Sequence, residues 1–361
     1  MGLHDRTYAR SRPAPASAGR PGAWSVTTWI AVLCAAVFVI DGFLPRTIEP
    51  VRSEPMRGVD ASELAETDPR EFRVVLPNDG RMVAEGIAVL GDRPVARVEL
   101  RSMHPLMMLG YFSTAKAIYA SDPVLGVSGF QVWRFVTFQF LHANLNHILF
   151  NMITLVIFGG MVERYLGAKR YLAFYLLCGV AGAVMYLALN GLALAGQSMF
   201  GPDFRAPGLL FNDPSTPLVG ASAGVFGVLM AAAFLAPNAQ VLLFFVIPMR
   251  LQTLAYGLLG FALLAVVFGW VNAGGEAAHI GGALAGWYLI RNPAHLHGFF
   301  DFIGQYDPTS RVASARKAVR RGTARGVDEA EVNRILDKIS AQGLHSLTEA
   351  EKRVLREASR R

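Results

Sequence analysis

Five polar residues lie in or beside long apolar runs, with types and spacing that suit acyl transfer: His142, His147, Asn151, Ser222 and His279. A serine hydroxyl is a weak nucleophile until a neighbouring imidazole takes its proton, and Ser222 with His279 supplies that pair. A tetrahedral oxyanion needs fixed hydrogen-bond donors. His147 and Asn151, one helical turn apart, share a helix face and could provide them together with the Ser222 backbone N–H. Phe226, one turn after Ser222, falls on the serine's side of its helix, in reach of the His279 ring. No carboxylate is expected at that depth, so the pattern predicts a Ser–His dyad without a third, orienting acid.

Each of these residues also has an ordinary explanation. A lone serine in an apolar helix usually bonds its own preceding turn, a boundary histidine is often an interface residue, and Asn151 could simply join two helices. What unites them is a common depth. Ser222 is expected about four residues into its helix, roughly 6 Å below one surface, and His147, Asn151 and His279 reach a similar level from the same side. Other chemistries fit less well. His142-x4-His147 lacks the H-E-x-x-H pattern and has no acidic companion, so neither a metal nor any other cofactor is expected. Gly220-Ala-Ser222-Ala-Gly224 formally matches the nucleophile elbow of soluble hydrolases, but the uncharged run from Pro214 to Met249 does not suit a soluble sheet. A channel or transporter would call for matching repeats, which are not evident.

The elements that hold these residues are membrane helices. The 361 residues are 53% hydrophobic and 17% charged, and the charge is uneven. Residues 145–290 hold nine charged side chains in 146 positions, about 6%, against about 24% elsewhere; a soluble domain carries about a quarter throughout. A single soluble domain, a disordered chain and a disulfide scaffold are thereby excluded. Cys34 and Cys178, each within an apolar run, read as packing. Six apolar stretches of spanning character are expected at about 27–44, 145–162, 170–190, 218–236, 251–270 and 276–291. The first reads as an uncleaved anchor, since no small-residue cleavage site follows it. Basic residues in the N-terminal tail, at Arg164, Lys169 and Arg170, at Arg250 and after Arg291 fall on one side, which predicts cytoplasmic termini. The net charge of +7 is thus a matter of topology, and no nucleic-acid partner is expected.

The chain then divides into a cytoplasmic tail (1–26), a first span (27–44), a β-rich extracytoplasmic insertion (45–103), a core of five further helices (104–291), a linker (292–327) and a cytoplasmic helical module (328–361). In the insertion, Phe72–Leu76, Arg81–Leu90 and Val95–Leu100 read as strands around the Asn78–Gly80 and Gly91–Pro94 turns. In the module, Val332, Ile335, Leu336 and Ile339 repeat at helical spacing, and Thr348-Glu-Ala-Glu351 is a capping box. Short glycines at Val271–Gly275 suggest a lid between the last two spans.

Together these residues resemble the rhomboid family of intramembrane serine proteases, in that family's order. Trp133-Arg134 is similar to its W-R, His142-x4-His147-x3-Asn151 to its H-x4-H-x3-N, and Gly159-x3-Glu163-x3-Gly167 to its G-x3-E-x3-G. Gly220-Ala-Ser222-Ala223 is similar to its G-x-S-G, with Ala223 in place of glycine, and Ala278-His279-x2-Gly282-x3-Gly286 to its A-H-x2-G-x3-G. The resemblance covers about residues 104–291, plus the first span by topology. It implies an all-α, six-span bundle in the plasma membrane, with Ser222 as nucleophile, His279 as general base, His147 and Asn151 as oxyanion donors, and His142, Trp133, Arg134 and Glu163 supporting the fold. The implied partners are transmembrane protein substrates and the lipid bilayer; the oligomeric state is left open. A non-catalytic, client-binding relative is the alternative, and a small-solute transporter a more distant one.

Overall fold

The computed structural model describes residues 24–75, 85–118, 120–122, 124–243, 246–296, 298–299, 329–342 and 346–359. The tail before Trp24, the Asn78–Gly80 turn and most of the 292–327 linker lie outside the described residues. The chain forms two compact units, Met1–Leu296 and His297–Arg361.

The first unit opens with α1 (Val26–Phe43), an apolar helix capped by Ser25, whose hydroxyl accepts from the Thr28 N–H at 3.1 Å. A second cap comes from far along the chain. The Glu163 carboxylate accepts from Val26 N–H (2.8 Å), Thr27 N–H (3.0 Å) and the Thr27 hydroxyl (2.8 Å). A carboxylate here satisfies orphan amides and meets the positive end of the helix. The other end of α1 carries Asp41, buried, which in turn caps a later helix.

An antiparallel sheet follows, built from β1 (Thr47–Pro55), β2 (Phe72–Val75), β3 (Glu85–Leu90) and β4 (Arg93–Met103), with α2 (Ala61–Glu66) between β1 and β2. Its order is β1-β4-β3-β2. Leu64 and, from the sheet, Ala88, Val95, Ala96, Val98 and Leu100 form its small core. Strand β1 was not foreshadowed by alternation, because its sequence contains Pro50 and Pro55. It lies at the sheet edge, where prolines are tolerated, and the ladder shifts between Pro50 and Arg52.

Next come α3 (Pro105–Gly110), α4 (Thr114–Ala117), the β5 (Ala120–Asp122) and β6 (Gly126–Ser128) hairpin, and α5 (Arg134–Thr137). Helix α3 is too short to sustain itself in isolation, and side chains hold both its ends. Asp41 accepts from Leu106 N–H (2.8 Å) and Met107 N–H (3.0 Å). At the C-terminal end, Arg134, buried, donates to the carbonyls of Met108 (3.0 Å) and Tyr111 (2.6 Å), and the Trp133 indole donates to Leu109 (3.2 Å).

The core helices are α6 (Leu145–Leu166), α7 (Ala168–Phe200), α8 (Ser222–Leu235), α9 (Leu251–Val267) and α10 (Ala273–Arg291), with a β7 (Gln240–Leu243) and β8 (Ile247–Arg250) hairpin between α8 and α9. Helices α1, α6 and α7 are long and apolar enough to cross a membrane, and α8 and α9 are apolar but shorter. Large apolar side chains such as Val156, Ile157, Phe261 and Leu264 point outward, exposed. Only a lipid surround makes such a surface tolerable.

Three expected boundaries shift. Helix α7 runs ten residues past 190, because Gly191 does not end it and Gly196 leaves a seat for the Phe204 ring. Helix α8 begins at Ser222 rather than 218: Leu218 is held extended by a two-way backbone bridge with Phe112 (2.7 and 3.0 Å). Helix α10 begins at Ala273 rather than 276, so Gly274 and Gly275 belong to its first turn and not to a lid loop. The β7–β8 hairpin was unforeseen, since its apolar run shows no alternation.

In the second unit, α11 (Glu329–Gln342) and α12 (Glu349–Ser359) form a hairpin. The capping box is made: Glu351 accepts from Thr348 N–H (2.9 Å), while Glu351 N–H donates to the Thr348 hydroxyl (3.3 Å). Lys338 of α11 donates to the same carboxylate at 3.0 Å.

Two predictions follow from these carboxylates. Glu163→Ala leaves three donors at the start of α1 without their acceptor and should lower stability by about 2–4 kcal/mol, read as a fall in the thermal midpoint in detergent; an unchanged midpoint would show that α1 is held by packing alone. The Thr348 amide and Lys338 hold the Glu351 carboxyl down to about 2, from the ordinary carboxylate value. Because the folded value is depressed, this contribution is complete above the unfolded value and disappears as pH falls towards 2. A carbon-13 titration of Glu351 in the full chain should show it ionised at pH 3.5, whereas a midpoint near 4.5 contradicts the cap.

Candidate active site

Ser222 is the first residue of α8, placed there by the Phe112–Leu218 bridge and by Gly220, whose N–H donates to the Phe138 carbonyl at 3.0 Å. With 14 residues α8 is about 21 Å long, short of the roughly 30 Å hydrocarbon layer. It is also the most enclosed helix, packed against α6, α7, α9 and α10. The space above its N-terminus is a cavity of about 950 Å³, whose lining includes His147, Asn151, Ser222, Phe226 and His279.

His279 is brought to the same cavity by glycine contacts. A side chain at Gly286 would come within 2.5 Å of the Gly227 Cα, and one at Gly282 would strike the Ala223 carbonyl. A side chain at Gly281 would lie 2.5 Å from the Ala181 carbonyl of α7. Helix α10 is therefore wedged between α7 and α8 with backbone close to backbone, the arrangement small residues permit. Ala223, the departure from the G-x-S-G pattern, points its methyl at Gly182 of α7 and does not line the cavity. Its effect is on helix packing.

The His279 ring is fixed on two sides. Phe226 stacks on its face, with centroids 4.2 Å apart and planes 8° from parallel. Its Nδ1 lies 2.9 Å from Glu276 Oε2. Spacing alone predicts no carboxylate at that depth; the fold puts the Glu276 carboxylate against the imidazole. The left-handed Asn272 (φ 72°) begins α10 at Ala273, so Glu276 lies in the first turn, three residues before the histidine. An acidic residue three before a candidate base was the available signal. Among the described residues, Ser222 and His279 make no hydrogen bond to one another; His279 lines the cavity with its Nδ1 engaged by Glu276 and its Nε2 unbonded.

His147 sits in the first turn of α6, whose N-cap Asn144 accepts from the His147 N–H at 2.9 Å. Asn151 lies one turn on, with its amide donating back to the His147 carbonyl at 2.9 Å, so in this state it is held by its own helix. A Cβ at Gly220 would be 2.7 Å from His147 Nε2 and 3.4 Å from Ser222 Oγ. The histidine nitrogen and the serine oxygen thus flank one small space. His142 is buried outside the cavity, edge-on to His147 with ring centroids 5.2 Å apart. Trp133, Arg134 and Glu163 lie away from the cavity, holding α3 and α1 as described. No cluster of metal-ligand type occurs among the described residues.

An apolar helical bundle that keeps a serine and a histidine around one internal cavity defines a membrane protein organised around a buried polar site. Residues 129–292 match the Rhomboid domain family, and residues 323–361 match a family of unknown function (DUF6576). The chain is 35% identical over 160 residues to RHOMBOID-like protein 12, mitochondrial, of Arabidopsis thaliana, covering 43% of this chain and 46% of that one. It is 31% identical over 169 residues to Rhomboid protease GlpG of Salmonella newport, covering 46% and 49%. The chain spans about half the length of these relatives. Over residues 129–292 the chain is thus similar to the Rhomboid domain family, and with α1, α6 and α7 long and apolar enough to cross a membrane it is an integral membrane protein.

Gly220 gives a direct test of the small space. With φ at 134° it adopts a conformation that side chains resist, and a methyl there meets both His147 and Ser222. Gly220→Ala should destabilise by about 1–3 kcal/mol and reduce labelling of Ser222 by a fluorophosphonate at least about tenfold; full labelling would place that space outside the reactive site.

Proposed function

We propose that this protein is an intramembrane serine endopeptidase that cleaves transmembrane segments of other membrane proteins near the outer membrane face. The observation that carries this is the shared cavity of Ser222 and His279, on two helices whose backbones touch. His279 Nε2 takes the Ser222 proton as Oγ adds to the scissile carbonyl carbon. The carbonyl π-electrons move to oxygen, where His147 and the Ser222 N–H stand ready as donors and Asn151 can join by giving up its contact with the His147 carbonyl. Collapse of the intermediate breaks the C–N bond, and the Nε2 proton leaves with the amine. Water then repeats the sequence on the acyl-enzyme: its proton goes to Nε2, its oxygen to the carbonyl, and the serine is restored.

A peptide bond inside a helix is blocked by its own hydrogen bonds, so a substrate must unwind where it enters this cavity. In this proposal the bundle has six spans, α1 and α6 to α10, with the β1–β4 sheet on the outer, extracytoplasmic side. Arg164, Lys169, Arg170, Arg250 and Arg291 then share the inner side with both termini, as the positive-inside rule favours. The membrane is the plasma membrane on this reading, although one relative is named mitochondrial.

Reconstituted with a single-span substrate, wild type should cleave, and Ser222→Ala and His279→Ala should each lose at least about 10³-fold in kcat. Cleavage untouched by both substitutions would falsify the protease assignment. Binding of the substrate without cleavage by wild type would favour the client-binding alternative.

A further inference from the structure

We infer that Glu276 is a positioning residue for His279, so that the reacting unit is a Ser222–His279–Glu276 array and not a dyad; this rests on the proteolytic function proposed above. Glu276 Oε2 is 2.9 Å from His279 Nδ1, and both side chains are 15% exposed. Glu276 does not line the cavity, so it acts through the imidazole and not on the substrate.

The two contacts of the ring restrain different motions. Phe226, parallel at 4.2 Å, fixes the plane of the imidazole but leaves it free to turn over within that plane's stack. Such a flip would exchange the cavity-facing and helix-facing edges, and only an edge contact can prevent it. Glu276 supplies that contact. An ionised carboxylate can only accept, so Nδ1 must carry the proton and Nε2 must present its lone pair to the cavity. When the Ser222 proton arrives at Nε2, the resulting imidazolium already has a negative partner on its other nitrogen. The Nδ1 proton stays where it is, and Nε2 alone exchanges protons with the serine, the leaving amine and water.

Glu276 is placed in the first turn of α10, where a helix end favours an anion. Among the described residues, His279 is its one ion-pair partner, so no Lys or Arg competes for the carboxylate.

The test compares Glu276→Gln with wild type and Ser222→Ala in the reconstituted cleavage assay, alongside nitrogen-15 spectra of His279 in the wild-type protein. Glu276→Gln should lower kcat by about 10²–10⁴-fold, with KM within about twofold and the thermal midpoint unchanged. The wild-type spectrum should show the Nδ1–H tautomer. A Gln variant that cleaves within about threefold of wild type, while Ser222→Ala is inactive, overturns the role of Glu276 and leaves the protease assignment standing. Persistent cleavage by Ser222→Ala overturns the assignment itself. If the Gln variant does not fold, the wild-type spectrum decides: an Nε2–H tautomer overturns the proposal.

Discussion

Gly227 of α8 and Gly286 of α10 leave no side chain between their helices, and the two backbones meet. Within a bilayer there is little hydrophobic drive for helices to associate, so close packing must supply the attraction. That contact fixes the separation of Ser222 and His279, which make no hydrogen bond to one another among the described residues. It also requires α7 to offer small residues, Ala181 and Gly182, on the opposite face of α10. The Ala223 methyl then becomes legible as a filler between α8 and α7, and not as an intrusion on the site.

The second constraint is the polarity of a site surrounded by apolar surface. The short helix α3, the start of α1 and the start of α6 would each expose unsatisfied amides or carbonyls. Asp41, Glu163, Arg134, Trp133 and Asn144 answer them one by one. Of the residues that a resemblance places among the supporting set, Trp133, Arg134 and Glu163 thus have definite work: they cap helix ends. Because that work lies at the rims, the floor of the cavity stays free for His147, Ser222 and His279.

Spacing and apolar runs are enough to read six helices and to single out His147, Asn151, Ser222 and His279, which the fold brings to one cavity while His142 stays outside it, because a 20-residue run and an i to i+4 pair are local properties. The starting points of α8 and α10 were not local. Ser222 opens its helix because Leu218 pairs with Phe112, a hundred residues earlier, and Asn272 sets the start of α10 through a left-handed backbone. Glu276 and His279 are three apart in sequence, but that the carboxylate turns onto the imidazole is a property of the folded side chains. Likewise β1 could not be read, because an edge strand with two prolines has no alternation to display.

The sheet has its own lesson. The chain leaves α1 into β1 and returns through β4 to α3, and these two strands are neighbours, with Thr47 opposite Met103. Everything between them starts and finishes at nearly one point above the bundle. Such an excursion is a plug-in cassette: strands can be added or removed at the far edge, beyond β3, without altering where the chain rejoins the helical bundle. Lineages could therefore refit the sheet of this protein while the helices that hold the cavity keep the same geometry.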